Sequence, residues 1–125
     1  MIEFKSVKPI PQSDIRPWGY FSIISDEKQY KIKKITVNPN CRLSYQYHNK
    51  RQETWIILSG EGLMTIDDKN HQVFKGSQIF IPTKSKHRIE NTSSTDILEF
   101  IEVQTGEYFG EDDIVRIQDD YGRED

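Results

Sequence analysis

The chain has 125 residues, 17 Lys and Arg against 20 Asp and Glu, a net charge of −3, 30% charged and 34% hydrophobic residues. That length suits one domain with one modest core, and charge of mild sign, scattered rather than gathered into a basic stripe, excludes a dedicated nucleic-acid or membrane-surface binder. No apolar run is long enough to cross a bilayer, no signal-peptide pattern opens the sequence, and the single Cys41 excludes an internal disulfide, so a soluble domain of a reducing, cytoplasmic compartment is expected, with Cys41 a small core or strand-end residue.

In chain order, an N-terminal arm (1–15) leads into the turn "RPWG" and a domain expected over 16–118, with an acidic tail at 119–125. Segments rich in Ile, Val, Tyr, Phe and Thr predict strands at 20–25, 30–37, 43–48, 54–60, 62–67, 71–74, 77–82, 87–91 and 96–104. Between them stand turn residues: "NPN", "SGEG", "DDKN", "KG" and "NTSST". No segment holds a helical period for three turns. Many short strands at even spacing predict an all-β, antiparallel sandwich or barrel. Within 30–37 the alternation slips: Tyr30 and Ile32 share one face and Ile35 and Val37 the other, which predicts a β-bulge at Lys33 and Lys34. "ILEFIEV" is apolar on both faces, as in a strand covered on both sides.

The stretch "QYHNKRQE" (46–53) carries the chemistry. On a strand Gln46 and His48 project to the same face, Glu53 opens the next strand after a turn, and His87 begins a later one. Two imidazoles, a carboxylate and an amide oxygen form an N2O2 set suited to a first-row divalent metal, although the spacing alone also fits a polar strand. His71 sits in the "DDKNHQ" hairpin as a surface residue.

The flanks of both segments sharpen this. The first runs Asn40, Gln46, His48, Glu53, Gly60; the second runs Gly76, Pro82, His87, Asn91. These resemble the two cupin motifs, with Asn40 in place of the first glycine, Gln46 in place of the first histidine and Lys84 in place of the internal glycine of the second. Asn visits left-handed turns readily, and Lys84 implies a turn that does not require glycine. A Gln-His-Glu-His set is the one used by phosphomannose isomerases. "RPWG", "YKIKKITVNPN", "LSYQYH", "IPTKSKHRIEN", "EFIEVQTGEYFGEDDIVR" and "DDYGR" are similar to the cupin domain of type II mannose-6-phosphate isomerases, from Arg16 to Arg123. In that family the domain usually follows a mannose-1-phosphate guanylyltransferase domain. The resemblance implies a single-domain cupin jelly roll with a metal inside the barrel held by Gln46, His48, Glu53 and His87. Zinc is the family expectation, and manganese, nickel or cobalt suit the same set.

The implied reaction interconverts mannose 6-phosphate and fructose 6-phosphate through a cis-enediol. It needs a Lewis acid, a base for the carbon-bound proton and cations for the phosphate. Glu102 is the candidate base if Leu98, Phe100, Glu102 and Gln104 face inward, and Lys33 the candidate cation beside the enediolate. A surface carboxylate and a solvated strand lysine are the plainer alternatives. Arg88 and Arg16 are the phosphate candidates, although strict alternation turns Arg88 away from the face of His87. Trp18 and Trp55 read as packing residues, and the acidic "GEDDI" as a solvated turn or an interface. Two other readings stand beside the isomerase. One is a metal-bearing module that binds a sugar phosphate or sugar nucleotide without turnover. The other, a metal cupin of different chemistry such as an oxygenase, is disfavoured by Gln46. The doubly apolar strand and the N-terminal arm predict a homodimer.

Overall fold

The computed structural model describes residues 13–123; the expected N-terminal arm up to residue 12 and the last two residues of the acidic tail lie outside the described residues. Among the described residues the strands are β1 (Ser13–Arg16), β2 (Gly19–Asp26), β3 (Tyr30–Val37), β4 (Tyr45–Tyr47), β5 (Arg51–Ser59), β6 (Glu61–Ile66), β7 (Lys69–Phe74), β8 (Gln78–Ile81), β9 (His87–Asn91), β10 (Leu98–Gly106) and β11 (Val115–Gln118). They form two antiparallel sheets, one ordered β1-β2-β3-β10-β5-β8 and the other β11-β4-β9-β6-β7. This is the all-β two-sheet architecture expected from even strand spacing. Among the described residues no helix is long and apolar enough to cross a membrane.

Three central strands set the interior in layers, because β10 runs in antiparallel register with both β3 and β5. Phe100 stands between Ile35 and Ile57, Glu102 between Lys33 and Trp55, and Gln104 between Lys31 and Glu53. One end of the barrel is therefore apolar and the other charged. Trp55 stacks on Phe100 at 4.2 Å between ring centroids and forms the boundary between the two halves. Below it Val37, Ile57, Met64, Ile89 and Leu98 are buried as core. Burial of these side chains supplies the main drive for folding, about 1.5–3 kcal/mol for each large one.

This layering corrects the expected bulge in β3. The pairing of β3 with β10 is unbroken, and Lys31, Lys33, Ile35 and Val37 all face inward. The hydrophobic pattern changes face because the interior changes from charged to apolar, while the phase of the strand does not. The bulge is in the neighbour β2, where the register shifts between Ile23 and Ser25. β1 and β11 were not predicted. Each is a four-residue edge strand, and Ile15 in β1 is 85% exposed, so neither shows a two-residue hydrophobic alternation.

Two turns bear on the site. Gly19 has φ +153, and a Cβ there would lie 2.1 Å from the Thr36 carbonyl oxygen, so the "RPWG" turn needs glycine to let β2 approach β3. Asn40 takes the left-handed φ of 60 expected of it, but so does Lys84, with φ 70. The expectation that the loop before His87 avoids this conformation is therefore wrong. Its backbone is held by Lys84 N donating to the His48 carbonyl at 2.8 Å, which ties the loop to the end of β4. Asn91 is fully buried and donates to the carbonyls of Val37 (3.0 Å) and Asp96 (2.8 Å), so it joins the two sheets.

Candidate metal centre and its cavity

His48 lies just after β4, Glu53 on β5 and His87 at the start of β9, and all three are buried. One ligand atom of each falls within 4.8 Å of the others. His48 Nε2 is 3.2 Å from Glu53 Oε2, and His87 Nε2 is 3.8 Å from Glu53 Oε1. Both imidazoles are oriented from behind. Nδ1 of His48 donates to the Asp113 carbonyl at 2.7 Å, and Nδ1 of His87 donates to the Ser85 carbonyl at 2.9 Å. With Nδ1 protonated, each Nε2 presents a lone pair toward Glu53, the arrangement typical of metal-binding histidines. Among the described residues, Nε2 of His87 has no hydrogen-bond partner although it is buried. An orphaned buried acceptor is costly, by about 1–3 kcal/mol, unless a cation or water takes it. The donor set and this orphan atom fit a divalent cation.

Gln46 sits directly across from His87 in the β4–β9 pair, and its Oε1 accepts a hydrogen bond from Ser44 Oγ at 2.5 Å. It lines the interior cavity.

Charge in the cluster is set by burial and by Arg51. Burial drives His48 down to about 4 and lowers His87, so both rings are neutral at pH 7. Burial opposes ionisation of Glu53, but in the acid range where the carboxyl titrates the rings of His48 and His87 are themselves protonated, and their charges, with Arg51 and the Trp55 hydrogen bond, outweigh it and hold the carboxyl at about 2. Arg51 Nε donates to Glu53 Oε2 at 2.9 Å, and Trp55 Nε1 donates to Glu53 Oε1 at 2.9 Å. Arg51 Nη2 also reaches His48 Nε2 at 3.3 Å.

Arg51 was not anticipated as a site residue, since it was assigned to the turn before the strand. It opens β5 instead and shares the inward face of Glu53 and Trp55. The two-residue period counted back from Glu53 is the signal that would have found it.

The cavity beside the cluster holds about 60 Å³ and is lined by Lys33, Gln46, Arg51 and Glu102, with Arg16, Arg116 and Arg123 also on its wall. Glu102 and Lys33 are buried neighbours across β10 and β3. Burial, with the charge of Glu53, raises the Glu102 carboxyl to about 7, against the pull of Lys33 and Arg51. Gln104 Nε2 donates to Glu102 Oε2 at 2.6 Å and orients it. Arg16 stacks over Phe21 at 4.8 Å, and Lys33 lies over the same ring at 4.2 Å.

Arg88 is not brought to the cavity. Its Nε donates to the Leu43 carbonyl at 2.8 Å and its Nη atoms reach Gln118, so it joins β9 to β11 on the outer side. Strict alternation wins: His87 takes the inner face and Arg88 the outer. The acidic 110–114 run also differs from a solvated turn. Asp113 is buried and accepts from the backbone N–H groups of Asn49 (3.0 Å) and Lys50 (2.9 Å), while its carbonyl steadies His48. Trp55 is packed as expected, with the added task of bonding Glu53.

The family described as "Mannose-6-phosphate isomerase C-terminal" matches residues 5–119. The chain is 44% identical over 108 residues to "Alginate biosynthesis protein AlgA" of Pseudomonas aeruginosa, covering 86% of this chain and 22% of that protein. It is 40% identical over 108 residues to "Mannose-1-phosphate guanylyltransferase" of Escherichia coli, covering 86% and 23%. The chain thus spans under a quarter of the length of these relatives. In fold it is similar to Pac13, described as a nucleoside dehydratase, with TM-score 0.74 at 11% identity over 94% of this chain and 93% of that one. It is similar also to the capsular polysaccharide assembling protein CapF of Staphylococcus aureus, with TM-score 0.72 at 20% identity over 89% and 35%. A third neighbour, from Klebsiella pneumoniae, is described as a double-stranded β-helix domain (TM-score 0.68, 15% identity, 92% and 89%), and the two-sheet barrel here is that cupin fold.

Proposed function

The chain belongs to the mannose-6-phosphate isomerase C-terminal family, and on that premise we propose that it is a metal-dependent aldose–ketose isomerase interconverting mannose 6-phosphate and fructose 6-phosphate. The observation that carries this reading is the buried, proton-poised Glu102, paired across the sheet with Lys33 in a cavity that Arg51 connects to the His48–Glu53–His87 cluster. A buried carboxyl held in place by Gln104 and facing the cavity suits proton transfer in both directions.

His48, Glu53 and His87, with Gln46, would hold one divalent cation, zinc by family expectation. A bound cation of this kind supplies Lewis acidity toward a carbonyl or its neighbouring hydroxyl. Glu102 takes the proton from C2 and returns it to C1 while the hydroxyl proton passes from O2 to O1, and Gln104 keeps its carboxylate aimed. Lys33 presents a positive charge where the enediolate's negative charge develops. Arg51 neutralises Glu53 and carries positive charge to the cavity wall. The phosphate falls to Arg16, with Arg116 and Arg123 on the same wall in the place once expected of Arg88. A coupled assay from mannose 6-phosphate tests the reading: turnover that chelator removes and added metal restores is expected. No turnover in metal-replete protein that still binds the sugar phosphate would favour the non-catalytic module. That second reading draws on the relatives named guanylyltransferases, which this chain matches over under a quarter of their length.

The outer face of the larger sheet supports a homodimer. Ile101 and Val103 of β10 are half-buried, and Ile56 and Leu58 of β5 and Phe80 of β8 are exposed. Ile101 lies across from Ile56, and Lys34 pairs with Glu99 at 3.6 Å at the margin. A second copy laid on this face would cover the strip. Sedimentation at micromolar concentration should give a dimer that Ile56→Glu dissociates; monomer alone in the unmodified protein would refute it.

A further inference from the structure

A cavity of about 60 Å³ is far below the roughly 300 Å³ at the low end of small-molecule pockets. A hexose phosphate enters only if part of the wall moves. Lys33, Gln46 and Glu102 are strand residues paired on both sides, and Arg51 is a strand residue paired with Gly106 and bonded to Glu53. Glu111 is different. It lies on the connection between β10 and β11, its side chain is 48% exposed, and its carboxylate reaches into the cavity. There it pairs closely with Lys33 Nζ and lies 3.8 Å from Lys31 Nζ. Both lysines are buried, and among the described residues Glu111 is the carboxylate paired with each.

The connection is anchored at its two ends. Glu107 N donates to the Lys50 carbonyl at 2.9 Å, and Asp113 accepts from Asn49 and Lys50. Glu111 lies between the anchors, so its side chain can leave the lysines without releasing the Asp113 carbonyl that steadies His48.

We propose that Glu111 is a resident anion, seated on Lys33 at the cavity wall with Lys31 behind it, and displaced by an oxyanion of the ligand, with the residues between the two anchors, 108–112, acting as the latch. The ligand class is a small oxyanion-bearing molecule; with the phosphoryl group assigned to Arg16, the oxyanion meeting Lys33 is the sugar's own enediolate oxygen, for which inorganic phosphate serves as the stable probe. Two buried ammonium groups without a carboxylate are unfavourable, which explains why the chain supplies its own anion and why an incoming one replaces it. The inference rests on the cavity being the substrate site.

The test is calorimetric titration of the full chain with inorganic phosphate, with unphosphorylated mannose as the neutral control. Glu111→Gln and Glu111→Ala should each bind phosphate roughly tenfold more tightly than the parent, the scale of one lost competing charge pair. Adding Lys33→Met to Glu111→Gln should return binding to the weak level. Phosphate affinity unchanged or absent in both Glu111 variants, with their melting profiles preserved, would overturn the latch. Tighter phosphate binding without turnover of mannose 6-phosphate would leave the latch standing and refute the isomerase. Turnover with phosphate affinity and KM unchanged in both variants would do the reverse.

Discussion

Glu102→Gln is expected to lower kcat for mannose 6-phosphate by about 10²–10⁴-fold, the range for loss of a positioned acid–base group, with KM changed far less. The amide keeps the size of the side chain and a partner for Gln104, so the loss is chemical. The pH dependence carries a second signature. In the parent, the acid limb of kcat/KM follows Glu102 losing its proton, near 7 in the cation-free cavity and lower when a divalent cation is bound. The limb should vanish in the variant. Stability moves the opposite way to activity. In chelator-treated protein the folded Glu102 keeps its proton up to about 7, whereas an unfolded glutamate loses it near 4.5. Between those values the folded state binds the extra proton, so stability falls as pH rises through the window and the penalty is complete above it. Glu102→Gln removes that penalty, and should melt above the parent at pH 8 and level with it at pH 4. Equal kcat in parent and variant would contradict the assignment of the base.

His87→Ala should abolish the stabilisation that metal confers. A cation held at 100 times its Kd adds about 2.7 kcal/mol, which for a domain of this size raises the melting temperature by roughly 10 °C. The variant loses one of two imidazoles and should show no such rise, together with loss of turnover. Because burial lowers both histidines, and His48 to about 4, protonation of His48 should not compete with metal until the pH falls toward that value, and His87 shifts in the same direction. An unchanged metal-induced shift in the variant would remove His87 from the centre.

The architecture was legible because alternation and turn residues mark most strands independently of what the barrel contains. The cluster of His48, Glu53 and His87 was legible for a related reason: strand period and motif spacing carry those side chains inward, and the structure gathers them within 4.8 Å. Where the interior is charged, the same rule misled. Lys31 and Lys33 face inward and Ile32 outward, so following the apolar residues from Ile32 to Ile35 implied a bulge that β3 does not have. Arg51 was lost to a misplaced strand boundary. Arg88 followed the alternation rule that had already weighed against it. Glu111, Arg116 and Arg123 reach the cavity from segments whose return to the barrel depends on tertiary pairing, in the β10–β11 connection, in β11 and in the turn after it, which no local pattern encodes. Lys84 shows the limit for turns: a residue type poorly suited to left-handed backbone adopts it where β4 and the loop before β9 must meet.

The most direct measurement is X-ray absorption at the edge of the metal in protein loaded with one equivalent of zinc. The expected spectrum has one bound ion per chain, two imidazole nitrogens from His48 and His87, and oxygen donors from Glu53 and Gln46, with one imidazole lost in His87→Ala. A spectrum without imidazole scattering, or a chain that retains no ion at micromolar concentration, would contradict it.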